Sequence, residues 1–185
     1  MRIVGGKFKG RSIAPPSGPA TRPTTDRVRE SVFNILAHGV EGLPLGGIRV
    51  LDLFAGTGAM GLEAVSRGAR FCQFVEDSAE ARGLIRKNAD ALGVIGLVKI
   101  WRRDATSLGP CPPQPRFDLV FADPPYGKGL GEKALASLMA GDWLNPGGTV
   151  VLEESQKAEV RDIAGLALIG ARDYGDTKIR FYRRD

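Results

Sequence analysis

Arg49-Val50-Leu51-Asp52-Leu53-Phe54-Ala55-Gly56-Thr57-Gly58-Ala59-Met60-Gly61 is a strand-like apolar run that leads into a glycine-rich turn. Leu62, Ala64 and Val65 then recur at helical spacing, so the stretch predicts a strand, a turn and a helix. Glycines at such a turn let the backbone approach a ligand closely, and the free amides at the helix start point into the same space. The stretch predicts a nucleotide-type binding loop in an α/β protein.

The acidic residue in this stretch indicates which ligand the loop binds. Asp52 precedes the first glycine, Gly56, by four positions. The Gly-x-Gly-x-x-Gly spacing also occurs in dinucleotide-binding proteins. A carboxylate beside the loop would repel a pyrophosphate, whereas it suits the cationic group of an amino acid. The sequence therefore favours a sulfonium or ammonium ligand over a dinucleotide.

Carboxylates also follow three other predicted strands. They are Glu76 after strand 70–75, Asp104 after strand 97–101 and Asp123 after strand 117–122. The carboxyl ends of parallel strands meet at one edge of a sheet, where ligands bind. A carboxylate at the position of Glu76 bonds ribose hydroxyls in this kind of fold, and Asp104 could receive the exocyclic amine of an adenine. One such residue is compatible with a surface charge, but four carboxylates in register, counting Asp52, predict a site.

The tetrapeptide Asp123-Pro124-Pro125-Tyr126 directly follows strand 117–122 and forms the candidate catalytic loop. The two prolines restrict the backbone and make the loop stiff. The Asp123 carboxylate and the Pro124 carbonyl can both accept hydrogen bonds from one amino group, while the Tyr126 ring offers a flat face to a heterocycle. The loop predicts an aromatic amine as ligand, although the tetrapeptide alone is also compatible with a simple rigid turn.

In this order, the motifs resemble those of class I S-adenosylmethionine-dependent methyltransferases that modify amino nitrogens. The resemblance extends over residues 49–153. Segments 2–11 (RIVGGKFKGR) and 22–36 (RPTTDRVRESVFNIL) are similar to the bacterial 16S ribosomal RNA guanine-N2 methyltransferases of the small subunit. This narrower resemblance implies methyl transfer from S-adenosylmethionine to the exocyclic N2 of one guanine in 16S rRNA. It also implies that the RNA is bound within a small ribosomal subunit or an assembly intermediate.

The resemblance assigns an expected role to each motif residue. The expected catalytic residues are Asp123, Pro124, Pro125 and Tyr126. The residues expected to bind the cofactor are Asp52, Phe54, Ala55, Gly56, Thr57, Gly58, Glu76, Asp104, Ala105 and Asp123. Asp52 is expected near the amino acid group, Glu76 at the ribose, and Asp104 and Ala105 at the adenine. The methyl group is expected to transfer directly, without a covalent enzyme intermediate.

Basic residues are concentrated near the N-terminus. Residues 1–30 carry seven basic and two acidic side chains, which accounts for the whole net charge of +5. Such a cluster predicts phosphate contacts, although it is also compatible with a solvated basic arm. The expected RNA-binding residues are Arg2, Lys7, Lys9, Arg11, Arg22, Arg27 and Arg29. We therefore divide the chain into a basic RNA-binding extension, 1–24, and a methyltransferase catalytic domain, 25–185.

The remaining pattern predicts a doubly wound, Rossmann-like α/β fold with a seven-stranded, mostly parallel sheet. The resemblance implies that the last strand is antiparallel. Predicted strands lie at 49–54, 70–75, 97–101, 117–122, 149–153, 166–170 and 178–183. Helices are expected after Thr24–Asp26, which can cap the first of them, and around 79–91 and 132–139. The composition of 145–148 (NPGG) predicts a turn.

Composition argues against several other classes of protein. The two cysteines, Cys72 and Cys111, match neither a disulfide framework nor a zinc site, so we expect reduced thiols and a cytoplasmic protein. No apolar run approaches the roughly 20 residues of a membrane span. We expect a monomer that binds no metal.

Three other functions are compatible with parts of the sequence. A DNA adenine-N6 methyltransferase, or another methyltransferase of nucleic-acid amino nitrogens, would share the catalytic and cofactor loops, but 185 residues leave little room for a DNA target-recognition segment. A non-catalytic nucleic-acid-binding module would have no need of Asp123. A methyltransferase of protein amides is disfavoured because Asp, rather than Asn, stands at that position.

Overall fold

The computed structural model describes residues 1–18, 24–39 and 42–185. The strands are β1 (Arg49–Leu53), β2 (Phe71–Val75), β3 (Val98–Trp101), β4 (Phe117–Ala122), β5 (Leu144–Ser155), β6 (Leu166–Tyr174) and β7 (Thr177–Arg184). They form one sheet in the order β3-β2-β1-β4-β5-β7-β6. β1 to β5 pair in parallel, whereas β7 is antiparallel to both of its neighbours. The predicted fold class and the antiparallel last strand are confirmed.

Helices cover both faces of this sheet. They are α1 (Asp26–His38), α2 (Ala59–Ser66), α3 (Ala79–Ala91) and α4 (Leu130–Ala140), with a 3₁₀ turn at Ile95–Leu97. α1, α2 and α3 share one core cluster with Val50 of β1. α4 shares the second cluster with Leu51, the next residue of β1. Successive residues of the central strand thus enter opposite cores, as expected for a doubly wound sheet.

The first helix begins where the sequence predicts. The side chain of Thr25 accepts a hydrogen bond from the Val28 amide and caps α1. Phe33 of α1 is fully buried, and its ring centroid lies 5.5 Å from that of Phe121 in β4. α1 therefore packs directly on the strand that leads to the candidate catalytic loop.

The N-terminal segment 1–18 packs on the same face as α1, α2 and α3. Ile3 and Ile13 are buried in that core cluster. The Phe8 amide donates to Ser66 Oγ at 2.9 Å, at the end of α2. The Ala14 amide donates to Asn88 Oδ1 of α3 at 2.7 Å. Residues 1–18 thus pack into the same hydrophobic core as α1, α2 and α3. They differ from the rest of the chain in their positive charge and not in their packing.

The prediction of a turn at 145–148 is wrong, because these residues lie inside β5. Phe117 of β4 pairs with Leu144 of β5, and Leu119 pairs with Thr149. Residues 145–148 of β5 therefore lie opposite Asp118 alone and interrupt the regular pairing. A proline and a left-handed glycine cannot continue a regular ladder, but a bulge accommodates them. Asn145 Nδ2 donates to Asp118 Oδ1 at 2.9 Å across this irregularity.

Three properties of the described residues bear on function. No helix among them is long and apolar enough to cross a membrane. They contain no group of three or more His, Cys, Asp or Glu side chains that could hold a metal ion. Both cysteines are free thiols, and Cys72 is buried in the core.

Candidate active site

The loop after β1 has a constrained backbone. Phe54 adopts φ +56°, in the left-handed region that non-glycine residues rarely occupy. Gly58, at φ +80°, immediately precedes α2 and turns the chain into the helix. The Gly56 amide donates to Glu76 Oε2 at 2.9 Å. The predicted cofactor residues 54–58 and Glu76 therefore lie side by side at the carboxyl edge of the sheet.

Asp52 lies beneath this loop. Its side chain is buried and accepts a hydrogen bond from the Gly61 amide at 3.0 Å. Burial raises the pKa of Asp52 to about 8, and the charge of Glu76 adds to this effect while the Gly61 hydrogen bond opposes it. A Cβ on Gly61 would lie 2.5 Å from Cys72 Sγ and Phe74 Cε1, so only glycine lets α2 pack this closely on β2. A cationic ligand group beside Asp52 would favour its charged form.

Asp104 and Ala105 lie in the turn after β3. The Asp104 carboxylate is exposed and accepts hydrogen bonds from the Thr106 hydroxyl at 2.7 Å and the Thr106 amide at 2.8 Å. These bonds lower the pKa of Asp104. The Glu76 amide donates to the Trp101 carbonyl at 3.0 Å, which places the end of β3 beside Glu76. The expected contact of Asp104 and Ala105 with adenine stays a prediction.

The candidate catalytic loop leaves β4, the strand between β1 and β5. Pro124 is buried and Pro125 exposed, while Asp123 and Tyr126 are partly exposed. Burial raises the pKa of Asp123 well above its ordinary value. The charge of Glu153 is the next cause, and a hydrogen bond from Thr24 opposes it. The Asp123 carboxyl is therefore more basic than an ordinary aspartate.

Glu153, Thr24 and Thr177 complete this loop, and the sequence-based selection missed all three. Glu153 Oε1 accepts a hydrogen bond from the Tyr126 hydroxyl at 2.7 Å, and Glu153 Oε2 accepts one from the Thr24 hydroxyl at 3.0 Å. Thr24 Oγ1 also lies 3.5 Å from Asp123 Oδ2. Tyr126 Oη lies 2.7 Å from Thr177 Oγ1. The strand-end rule that selected the other carboxylates would have found Glu153, which ends the predicted strand 149–153.

Lys7, Lys9 and Arg11 form an exposed basic cluster, and two of its members lie near the ring of Phe8. Lys7 Nζ lies 5.6 Å and the Arg11 guanidinium 5.9 Å from the ring centroid. The neighbouring amides of Lys7 and Phe8 donate to Ser66, at the end of α2. Since α2 runs from the carboxyl edge to the opposite edge, its eight residues, about 12 Å long, separate this cluster from the glycine loop.

The other predicted RNA-binding residues differ in their surroundings. Arg2 is exposed and lies 3.4 Å from Asp26, and Arg27 is exposed on α1. Arg22 lies outside the described residues. The RNA-binding assignment of Arg2, Arg27 and the basic cluster stays a prediction.

The prediction that Arg29 presents its charge to RNA is wrong, because its side chain is fully buried. Arg29 Nη2 lies 2.8 Å from Asp26 Oδ1, and Arg29 Nε lies 3.5 Å from Glu63 Oε2. Arg29 also donates to the carbonyl of Arg2. Val32 and Phe33, three and four residues after Arg29 in α1, are buried on the same face of the helix. The buried Glu63 carboxylate compensates the positive charge of Arg29.

Comparison with known proteins is consistent with this geometry. A family model described as Conserved hypothetical protein 95 matches residues 1–183. Ribosomal RNA small subunit methyltransferase D of Escherichia coli (strain K12) is 35% identical over 100% of this chain and 90% of that protein. A tRNA (guanine(6)-N2)-methyltransferase of Thermus thermophilus is 37% identical over 57% of this chain and 33% of that protein. The solved structure of yhhF from Escherichia coli has a TM-score of 0.84 at 32% identity and covers 100% of this chain and 98% of that one. This chain therefore belongs to the Conserved hypothetical protein 95 family, the methyltransferase family of ribosomal RNA small subunit methyltransferase D, as its sequence resemblance predicted.

Proposed function

We propose that this protein transfers a methyl group from S-adenosylmethionine to the exocyclic N2 of a guanine in 16S rRNA. The observation that carries the proposal is the position of Asp123 beside the constrained loop 54–58, at one edge of the sheet. The name of the Escherichia coli relative supports small-subunit rRNA as substrate. The name of the Thermus thermophilus relative supports guanine N2 as the methylated atom.

The residues at this edge fit S-adenosylmethionine by their chemistry. The buried Asp52 carboxyl is suited to a cationic amino acid group, because a positive charge nearby would offset its unfavourable burial. The two oxygens of Glu76 already accept hydrogen bonds from the Gly56 and Ser78 amides, and their remaining lone pairs can accept hydrogen bonds from two ribose hydroxyls. Phe54 and Ala55 continue the same loop. When bound, S-adenosylmethionine supplies an electrophilic methyl group on a sulfonium sulfur.

The chemistry required of the protein is positioning and charge stabilisation. The Asp123 carboxylate and the Pro124 carbonyl accept hydrogen bonds from the guanine amino group and hold the nitrogen about 3–3.5 Å from the methyl carbon. The C–N bond forms as the S–C bond breaks, and positive charge develops on the nitrogen. Asp123 stabilises that charge. The Tyr126 ring stacks on the guanine, which must leave its helix to reach the loop.

The basic cluster binds RNA phosphates at a distance from the target guanine. Lys7, Lys9 and Arg11 are exposed on the face that carries α2, towards the opposite edge of the sheet from Asp123. Contacts there would orient the RNA along this face without reading the target base. The same proposal places the enzyme in the cytoplasm as a monomer that acts on a small ribosomal subunit or an assembly intermediate.

One incubation series tests the proposal. The protein receives S-adenosylmethionine labelled in the methyl group, together with free rRNA, assembled small subunits or DNA in separate reactions. The nucleic acid is then digested and the labelled nucleoside identified. We expect N2-methylguanosine from rRNA or small subunits and no label with Asp123→Ala. N6-methyladenine in DNA would establish the alternative function and overturn the proposal.

A further inference from the structure

Glu153 connects three separate parts of the chain at the catalytic loop. One carboxylate oxygen accepts the Tyr126 hydroxyl at 2.7 Å, and the other accepts the Thr24 hydroxyl at 3.0 Å. Thr24 lies 129 residues before Glu153 in sequence and immediately precedes the cap of α1. Burial raises the pKa of Tyr126, so its hydroxyl stays protonated and donates to Glu153. Both oxygens of Glu153 are thus occupied by hydroxyl donors that flank Asp123.

The second carboxylate of β5 has a different role. Glu154 is buried, and its Oε1 accepts hydrogen bonds from the Gly127 amide at 3.0 Å and the Ser155 amide at 2.7 Å. Glu154 therefore fixes the backbone after the catalytic loop. Glu153 instead contacts the side chains that surround Asp123, so the two neighbouring glutamates act on different parts of the site.

We propose that Glu153 is a positioning residue of the active site, which holds Tyr126 and Thr24 around Asp123, the carboxylate that accepts the proton leaving the substrate amine. This inference rests on the proposed function. In the reaction, the C–N bond forms and the S–C bond breaks, with its electron pair remaining on sulfur. The methylated nitrogen then loses one proton, which the Asp123 carboxylate accepts.

Charges on every neighbouring strand contribute to the basicity of Asp123. After burial, the causes that raise its pKa are the charges of Glu153 and Glu154 on β5 and of Asp52 on β1. The Thr24 hydroxyl, whose oxygen lies 3.5 Å from Asp123 Oδ2, acts in the opposite direction. Glu153 has the largest effect of the three carboxylates. Removing the charge of Glu153 and removing the Thr24 hydroxyl should therefore shift the titration of Asp123 in opposite directions.

These opposite shifts in the titration of Asp123 provide the test of the inference. We would measure kcat and KM for the RNA substrate from pH 5 to pH 9 in wild type, Glu153→Gln, Thr24→Val and Thr24→Ser. Glu153→Gln should move the acid limb of kcat/KM to lower pH and reduce kcat at least about tenfold. Thr24→Val should move that limb to higher pH, and Thr24→Ser should restore the wild-type profile. Glu159→Gln, an exposed carboxylate six residues further along, is the matched control.

A second measurement separates this inference from the proposed function. The titration of the Asp123 carboxyl carbon can be followed by NMR in the absence of RNA, and its midpoint should shift in the same two directions. If the wild type methylates no RNA, the proposed function fails, and the NMR titration still decides the role of Glu153. Thermal melting shows whether Glu153→Gln folds. If it does not fold, the inference is tested by the titration shifts of Thr24→Val and Thr24→Ser. Unchanged midpoints and unchanged pH profiles in folded variants would overturn the inference.

Discussion

The Arg29 guanidinium lies 3.5 Å from the Glu63 carboxylate, and both side chains are completely buried. Glu63 also accepts hydrogen bonds from Arg67 Nε at 3.0 Å and from the Val4 amide at 3.0 Å. Arg29 in turn donates to the Arg2 carbonyl. This ion-pair network ties α1 and α2 to the N-terminal segment, so the segment that carries the basic cluster is fixed to the catalytic core.

Removing the buried guanidinium should destabilise the fold. Arg29→Met leaves the Glu63 charge without one of its two arginine partners, and loss of one member of a buried pair typically costs about 3–5 kcal/mol. Urea unfolding measures this loss. Arg27→Met, an exposed change on the same helix, is the control and should alter the free energy of unfolding by less than about 0.5 kcal/mol. Equal stability of the two variants would contradict the structural role of Arg29.

Asp123→Ala should abolish methylation and leave cofactor affinity nearly unchanged. The carboxylate is assigned to the substrate amine and to the charge that develops on it, whereas the glycine loop and Glu76 are assigned to the cofactor. Single-turnover methylation and calorimetric titration with S-adenosylmethionine measure the two properties separately. Lost cofactor affinity with intact turnover would refute this division of roles.

Neutralising the basic cluster should weaken RNA binding in a salt-dependent way. The triple variant Lys7→Gln, Lys9→Gln and Arg11→Gln removes three exposed charges, so the slope of log K against log salt should become shallower by about 2–3. Filter binding at several salt concentrations gives this slope. Lys133→Gln, an exposed change on α4 at the opposite face, should leave it unchanged. A slope that does not differ from wild type would show that the cluster makes no phosphate contacts.

The buried Asp52 carboxyl should make stability depend on pH. Its pKa in the folded protein is raised to about 8 from an ordinary value of 3.8, so its contribution to stability is complete below about pH 4 and is lost as the pH rises through 8. Wild type should therefore lose on the order of 2–4 kcal/mol more than Asp52→Asn between pH 5 and pH 8. Urea unfolding at both pH values checks this difference. Parallel losses in the two proteins would show that Asp52 is not held protonated.

Much of the fold follows from local sequence patterns. Strand β4 at 117–122 and helix α3 at 79–91 occur at their predicted bounds, because alternation, apolar runs and capping residues act over a few neighbouring positions. The turn predicted at 145–148 shows the limit of such patterns. Pairing with β4 on both sides of Pro146 and Gly147 keeps the strand together, and that pairing depends on a distant segment.

Some residues of the candidate site are likewise predictable from local sequence patterns, and others are not. The carboxylates at the ends of β1, β2 and β4 are predictable, since parallel strands place their carboxyl ends at one edge. Helical periodicity also predicts a buried face on α1. It does not predict that Arg29 belongs to this face, because charged side chains are seldom buried and only Glu63 on another helix makes burial tolerable.

By itself, the sequence determined the family, the antiparallel last strand implied by that family and the loop that carries Asp123, because these depend on short contiguous motifs. Only the tertiary structure decided that Glu153 meets both Tyr126 and Thr24, and that the basic cluster lies at the far end of α2 from the glycine loop. Hydrogen bonds between residues up to 129 positions apart leave no periodic trace in the sequence. Such contacts exist only after the sheet has brought the separate segments together.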